Sequence, residues 1–177
     1  MTEIPSDPLA SSPTTSQPHD SALIRWLMLL IPAVAIFTLD QVSKAWMLNN
    51  LVMGQSIRPI EWLGDLLTFT LSANTGAAFS MLPQLADIFL LIALAMIVGI
   101  VVFYRRMPAG YRLDRIALGL LLGGVCGNAL DRLRHGFVVD FFHITIPSVI
   151  SNVSNFADHA IVVGIIVLFI LQWRRDE

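Results

Sequence analysis

The feature that most constrains this chain is a set of four long apolar stretches, which together make up most of its length. Of the 177 residues, 55% are hydrophobic and 14% are charged. A helix of about 20 apolar residues crosses the hydrocarbon of a bilayer, and each stretch approaches that length. We therefore expect an all-α membrane protein, a bundle of four transmembrane helices. Their predicted bounds are about 23–48, 88–106, 113–133 and 156–173.

The first 20 residues differ from the rest in composition. They are rich in proline, serine and threonine and contain neither lysine nor arginine. A segment with so few large apolar residues cannot bury enough surface to fold. We expect residues 1–20 to be a disordered tail and residues 21–177 to be a single membrane-embedded domain.

Lysine and arginine are unevenly distributed between the two ends of the predicted helices. Seven flank one end (Arg25, Arg105, Arg106, Arg112, Arg115, Arg174 and Arg175) and four flank the other (Lys44, Arg58, Arg132 and Arg134). Because basic residues resist translocation, the end with seven is predicted to be cytoplasmic. Both termini would then be cytoplasmic, and the loops at about 49–87 and 134–155 would lie outside. The net charge of −2 gives no indication of a nucleic-acid partner.

The two predicted outer loops each contain a strand-like segment. Residues 67–72 alternate apolar and polar side chains, which is typical of a half-buried strand. Residues 137–144 form a second strand-like run, which contains Asp140. The two could pair as a small extracytoplasmic β-platform. Trp46 and Trp62 flank the first segment, and tryptophan is enriched at membrane surfaces. We expect the stretch from Trp62 to Phe79 to act as a movable cover over a substrate.

Two neighbouring stripes on the third predicted helix indicate that it lies inside the bundle. Glycine at every fourth position lets another helix approach closely in lipid. A polar stripe beside it would face other helices, since polar groups are costly next to lipid. The glycine stripe is Gly119, Gly123 and Gly127, and the polar stripe is Gly124, Asn128 and Arg132.

Two aspartates lie where a membrane protein has little reason to place charge. Asp140 interrupts the apolar run 138–142, and Asp158 lies at the N-terminal end of the last predicted helix. If the two converge, one is expected to keep a proton, as in an aspartic protease. One carboxylate would activate water while its protonated partner polarises the scissile carbonyl. The helix dipole favours Asp158 as the ionised member, so Asp140 is predicted to hold the proton.

Each of these polar residues also has a structural interpretation. With Asn155 as the N-cap, Asp158 falls at the third helical position, where it could cap the helix. Asp140 could instead point outward from the edge of a strand. Asp40 and Lys44 lie four residues apart, so they could form an ion pair that lets a helix end sit at the interface, or they could support a nearby polar site.

Taken together, these motifs resemble those of the lipoprotein signal peptidase family, also called signal peptidase II. The matching segments, in the family's order, are residues 40–44, 74–79, 124–132, 138–141 and 155–158. The resemblance implies an intramembrane aspartic endopeptidase of the bacterial cytoplasmic membrane. Such an enzyme cuts a prolipoprotein just before a diacylglyceryl-modified cysteine, with no metal or organic cofactor.

The resemblance also implies a role for each matched residue. Asp140 and Asp158 would be the catalytic pair, at the outer leaflet. Seven further residues would shape the pocket and hold substrate: Asp40, Lys44, Asn74, Gly124, Asn128, Arg132 and Asn155. The family implies inhibition by globomycin-type cyclic peptides, and we expect a monomer surrounded by membrane lipids.

Two functions of other classes remain compatible with the residues. A small transporter would line a polar path with Asp40, Lys44, Asp131 and Arg132, although such a path needs polar residues through the midplane of the membrane. A non-catalytic lipoprotein-binding bundle would use the same pocket without cleaving anything. In that case replacing Asp140 with Asn would leave function intact.

Overall fold

The computed structural model describes residues 21–76 and 85–177. The expected tail and the last residues of the expected cover, 77–79, lie outside these ranges. The helices are α1 Ala22–Asn50, α2 Leu85–Arg106, α3 Arg112–His135 and α4 Phe156–Asp176. The strands are β1 Ser56–Ile57, β2 Leu67–Asn74, β3 Val138–Ile146 and β4 Ile150–Ser154, and a short 3-10 helix spans Glu61–Leu63.

All four helices are long and apolar enough to cross a membrane, which confirms the main prediction of fold class. They differ in how far they are buried. Within its most apolar window α3 is 72% buried, whereas α1, α2 and α4 are between 11% and 17% buried. Side chains that face lipid are not buried by protein, so α3 is the central helix and the other three pack around it.

Glycine allows this central packing, as the spacing on α3 predicted. A Cβ atom at Gly123 would strike the carbonyl oxygen of Ala33 on α1. A Cβ atom at Gly124, one residue later, would lie 2.5 Å from the carbonyl oxygen of Ala157 on α4. Adjacent positions on a helix point about 100° apart, so Gly123 and Gly124 let α1 and α4 approach α3 on two different faces.

The four strands form one antiparallel sheet in the order β1-β2-β3-β4. The two segments expected to be strand-like, β2 and β3, pair with Ser72 opposite Asp140 and Asn74 opposite Val138. The register shifts between Phe69 and Ser72, which marks a β-bulge or irregularity beside the position of Asp140.

The sheet packs on the end of the bundle where α1 ends and α4 begins. Leu71 of β2 and Val139 and Phe141 of β3 are buried in one apolar cluster with Met47 and Leu51 from the end of α1. Burial of this cluster anchors the sheet to the bundle. It also holds β3 over the first turn of α4, so the two predicted aspartates approach the same place.

Candidate active site

Asp140 lies at the junction between the sheet and the helix bundle and is 1% exposed. Its two carboxylate oxygens accept hydrogen bonds from different elements. Asn74 of β2 donates to Oδ2 at 2.8 Å, and Asn155, just before α4, donates to Oδ1 at 2.6 Å. The interpretation of Asp140 as an outward-pointing strand residue is therefore wrong.

Burial sets the proton affinity of Asp140. Removal of the carboxyl group from water raises its pKa to about 6 from an ordinary value of 3.8. The negative charge of Asp158 contributes to this increase in pKa, while the hydrogen bonds from Asn74 and Asn155 and the positive charge of Lys44 lower the pKa. The result is a carboxyl group that can exchange a proton near neutral pH.

Asp158 lies in the first turn of α4. Asn155 is the N-cap, as predicted, and its side-chain oxygen accepts a hydrogen bond from the backbone N–H of Asp158 at 2.8 Å. The carboxylate of Asp158 itself accepts a hydrogen bond from the side-chain amide of Asn128 at 2.7 Å. The half-buried side chain of Asp158 is thus held against α3.

Two asparagines connect the two aspartates. The Asn155 amide that donates to Asp140 also donates to the side-chain oxygen of Asn128 at 3.3 Å. Asn128 in turn donates to Asp158. Amides can donate and accept at the same time, so Asn128 and Asn155 hold the two carboxylates in one cluster without adding charge between them.

Lys44 lies next to Asn128 and is 2% exposed. Its ammonium group is 2.7 Å from a carboxylate oxygen of Asp40 and 2.7 Å from one of Asp131, and it donates to Asn128 at 3.0 Å. The predicted Asp40–Lys44 ion pair is therefore present. The pair is buried inside the protein, since Asp40 is 0% exposed.

The two carboxylates that contact Lys44 also hold the two elements that carry the aspartate pair. Asp40 accepts the backbone N–H of Ala157 in the first turn of α4, at 3.0 Å. Asp131 accepts the backbone N–H of Val139, next to Asp140, at 3.0 Å. The ends of α4 and β3 are thus both bonded to carboxylates that share one lysine.

The sequence suggested Asp131 only for the alternative transporter path and not for the catalytic site. A signal for it exists in the helical spacing, because Asp131 follows Asn128 by three residues and Gly127 by four and so shares their side of α3. Gln41 was missed as well. Its side-chain amide donates to Asp131 at 3.0 Å and to the carbonyl oxygen of Gly127 at 3.3 Å, which ties α1 to α3 beside the lysine.

The remaining predicted residues lie around this cluster in different ways. Arg132 donates to the carbonyl oxygen of Asn128 at 3.3 Å, and its guanidinium group lies 5.4 Å from the ring centre of Phe89 on α2. Arg132 and Asn128 line a cavity of about 210 Å³ between α2, α3 and α4, whose other walls are mostly apolar. Gly124 lies in the contact between α3 and α4.

This arrangement can carry out acid and base chemistry on a ligand at the end of the bundle. One carboxyl group has a pKa near neutrality, a second is close enough to influence it, and both are oriented by amides. Among residues 21–76 and 85–177, no group of three or more His, Cys, Asp or Glu side chains is placed to hold a metal ion.

Comparison with known proteins agrees with this architecture. The profile of the family described as Signal peptidase (SPase) II matches residues 32–174. The chain belongs to the signal peptidase II family. The lipoprotein signal peptidase of Bacillus subtilis is 40% identical over 138 residues, covering 78% of this chain and 88% of that protein. The lipoprotein signal peptidase of Pseudomonas aeruginosa is 40% identical over 162 residues, covering 86% and 89%.

A solved structure described as a bacterial membrane enzyme has the same fold. It superposes with a TM-score of 0.76 at 26% sequence identity and covers 90% of this chain and 93% of the other. Signal peptidase II proteins are proteases of bacterial membranes, and the four membrane-capable helices and the small sheet fit that class.

Proposed function

We propose that this chain removes the signal peptides of diacylglyceryl-modified prolipoproteins, cutting just before the lipidated cysteine, and that Asp140 and Asp158 perform the hydrolysis. The observation that carries the proposal is the link between the two carboxyl groups. Both are held by the Asn128–Asn155 pair, and burial raises the pKa of Asp140 to about 6. Membership of the signal peptidase II family, with relatives named lipoprotein signal peptidase, supports this substrate class.

In the proposed reaction a water molecule lies between the two carboxyl groups. Asp158 takes a proton from the water as the water oxygen attacks the scissile carbonyl carbon. The carboxylic acid of Asp140 donates its proton to the carbonyl oxygen. A tetrahedral diol forms. As the diol collapses, the carbon–nitrogen bond breaks and the amino group of the lipidated cysteine leaves with the proton that Asp158 had taken. One hydroxyl group of the diol returns its proton to Asp140 and becomes the carbonyl oxygen of the new carboxylic acid. The pair shares one proton at the start and at the end.

The other matched residues act by positioning. The side chains of Asn74, Asn128 and Asn155 orient the carboxyl groups. The buried ion pair of Asp40 and Lys44 stabilises the first turn of α4, where Asp40 accepts a backbone hydrogen bond. Substrate enters beside Arg132, whose cavity is open enough and apolar enough to take part of a signal helix or lipid. Gly124 keeps α4 close to α3.

We place the site at the outer leaflet of the bacterial inner membrane, with both termini in the cytoplasm and the sheet as an extracytoplasmic platform. The imbalance of basic residues supports this orientation. A lipid anchor would then hold the scissile bond at the depth of the two aspartates, so little further entropy is lost on the way to the transition state. The enzyme acts as a monomer without a metal or organic cofactor, and globomycin-type peptides block it. The cover from Trp62 to Phe79 remains part of this proposal.

The direct test is cleavage of a diacylglyceryl prolipoprotein by purified protein. Asp140→Asn and Asp158→Asn should each lose activity by at least a thousandfold, because each removes a proton acceptor or donor that the reaction needs. Asp176→Asn is the matched control, since Asp176 is exposed and ends α4 at the end opposite the aspartate pair, outside the proposed cover.

The outcomes separate the proposed function from its alternatives. Normal cleavage by either site variant would remove that residue from the mechanism. Binding of the prolipoprotein with no cleavage by the wild type would indicate a non-catalytic lipoprotein-binding bundle. Equal cleavage of a prolipoprotein that lacks diacylglycerol would disprove the lipid requirement while leaving the aspartate pair in place.

The orientation can be tested separately with a cysteine at Ser148, in the turn between β3 and β4, in a chain whose Cys126 is replaced by Ala. A membrane-impermeant maleimide should label this cysteine in cells whose outer membrane has been made permeable and whose inner membrane is intact. Labelling only after the inner membrane is broken would place the sheet in the cytoplasm.

A further inference from the structure

A second polar cavity lies at the end of the bundle away from the aspartates. It is formed where α1 begins, α2 ends and α3 begins, and its volume is about 140 Å³. One water needs only about 15 Å³ of such space, so the cavity can hold a polar group of several atoms. Arg25, Arg105 and Arg115 all line it, beside the rings of Trp26 and Tyr104.

Arg115 is the least expected of these residues, because its side chain is buried and incompletely paired. It is 1% exposed, and one terminal nitrogen donates to the carbonyl oxygen of Pro108 at 2.6 Å. Its Nε and its other terminal nitrogen are buried with no hydrogen-bond partner among the described residues. A buried charged group with unused donors is costly, so a bound acceptor would stabilise it.

The charge around the cavity is of one sign. Its described lining contains three arginines and neither aspartate nor glutamate. The nearby carboxylate of Asp114 is already engaged, since Arg175 donates two hydrogen bonds to it at 2.6 and 3.1 Å. The guanidinium groups therefore favour an anion with several oxygens, and the planar donor pairs of arginine match a phosphate group.

An apolar groove at the same end of α1 and α3 favours a lipid as the source of the phosphate. The groove has a volume of about 350 Å³ and is lined by Ile24, Leu27, Met28, Ile31, Pro32 and Ile116. Ile24 precedes Arg25 and Ile116 follows Arg115, so the groove begins at the same level of the same two helices, on faces turned about 100° from the arginines. It extends along α1 for about 10 Å, which is the direction that an acyl chain takes from a headgroup at the membrane surface.

We propose that this cavity and groove bind one anionic glycerophospholipid, with its phosphodiester at Arg25, Arg105 and Arg115 and an acyl chain along α1. The lipid belongs to the leaflet opposite the aspartate pair. It completes the hydrogen bonding of Arg115 and fastens the ends of α1, α2 and α3 to one another. The site is separate from the proposed peptidase chemistry and does not depend on it.

The test uses the full chain, delipidated in a neutral detergent, and titrates it with dioctanoyl phosphatidylglycerol while bound lipid is counted by native mass spectrometry. Wild type should bind one lipid tightly and unfold at a higher temperature with it. Arg25→Gln combined with Arg105→Gln should bind at least tenfold more weakly. Arg106→Gln is the matched control, because Arg106 ends the same helix and is exposed but does not line the cavity.

Arg115→Met tests the buried contact directly, but it can also fail to fold. The double variant avoids this difficulty, since Arg105 is exposed and Arg25 is partly exposed. Unchanged binding by the double variant, or equal weakening by Arg106→Gln, would overturn the site, because binding would then be diffuse attraction to a basic surface.

Two further probes distinguish the source of the phosphate. Glycerol phosphate has the anion without acyl chains, and dioctanoylglycerol has the chains without the anion. Both should bind at least tenfold more weakly than the intact lipid, because each satisfies only one part of the site. If glycerol phosphate or inorganic phosphate bound as tightly as the lipid, the cavity would be a site for a free phosphate and the assignment to lipid would be wrong.

Discussion

Replacement of Lys44 by Met should destabilise this protein more than the loss of any exposed charge, because Lys44 is the shared partner of two buried carboxylates. Its ammonium group lies 2.7 Å from both Asp40 and Asp131. Methionine has a similar length and no charge, so the variant preserves packing. It leaves two carboxylates facing each other at the point where α1 and α3 meet.

The expected loss can be worked out in two ways. Because both carboxylate oxygens lie 2.7 Å from the same nitrogen, they are within about 5.4 Å of each other. At an effective dielectric constant of about 20, two like charges at that distance repel by roughly 3 kcal/mol. Removal of one partner from a buried ion pair typically costs about 3–5 kcal/mol. We therefore expect a loss of about 3–5 kcal/mol in the free energy of unfolding.

The assay is denaturant unfolding in mixed micelles at neutral pH, followed by cleavage at a temperature where the variant is folded. Arg58→Met is the matched control, since Arg58 pairs with Asp65 at 2.8 Å but both side chains are mostly exposed. Such pairs contribute about 0–1 kcal/mol. Cleavage by folded Lys44→Met should also fall, because the carboxylates that hold Ala157 and Val139 would separate.

A second substitution decides whether repulsion between the two carboxylates causes the loss of stability in Lys44→Met. In Lys44→Met combined with Asp131→Asn, the repulsion is gone and an oxygen remains to accept the N–H of Val139. The double variant should therefore be more stable than Lys44→Met alone. If the two losses simply add, or if Lys44→Met is no less stable than Arg58→Met, the electrostatic reasoning is refuted.

Three further predictions concern the aspartate pair and the helix packing. Asn74→Ala removes a hydrogen bond that lowers the pKa of Asp140. The alkaline limb of the pH profile of kcat/KM, expected near pH 6 in the wild type, should therefore move to higher pH, whereas Thr75→Ala, at an exposed position, should leave it in place. The pKa of Asp140 is raised in the folded state, so the free energy of unfolding should fall by up to roughly 3 kcal/mol as pH rises from about 4 through 6, and unfolding curves with unchanged stability over that range would contradict this. Gly124→Ala should lower stability by about 1–3 kcal/mol because its Cβ would lie 2.5 Å from a carbonyl oxygen of α4, whereas Gly99→Ala, with nothing within 4 Å of its Cβ, should be neutral or slightly stabilising in the same thermal assay.

Features set by local spacing could be read from the sequence. The length of the apolar stretches predicts four membrane-capable helices, and the four-residue interval predicts the Asp40–Lys44 pair. Asn155 is predicted as an N-cap because its position before the last apolar run leaves backbone N–H groups to be satisfied. Helix geometry alone decides these contacts, so they need no knowledge of the rest of the fold.

Contacts between distant segments needed the tertiary structure. Gln41 and Asp131 are 90 residues apart. Helical spacing places Gln41 on the side of Lys44 and Asp131 on the side of Asn128, but no local pattern indicates that these sides of α1 and α3 meet. The same holds for Asp140, whose inward direction depends on the register of β3 against β2 and on the anchoring of the sheet to α1. A shift of one residue in that register would turn Asp140 to the other face.

The sequence by itself therefore determined which residues are unusual for a membrane protein, and the tertiary structure decided what they contact. Burial gave Asp140 its raised pKa, and packing around α3 placed Asn128 between Lys44 and Asp158. The physical reason is that spacing along a helix or strand fixes directions locally. Desolvation and charge pairing depend on which segments pack together, and that is settled only when the whole chain has folded.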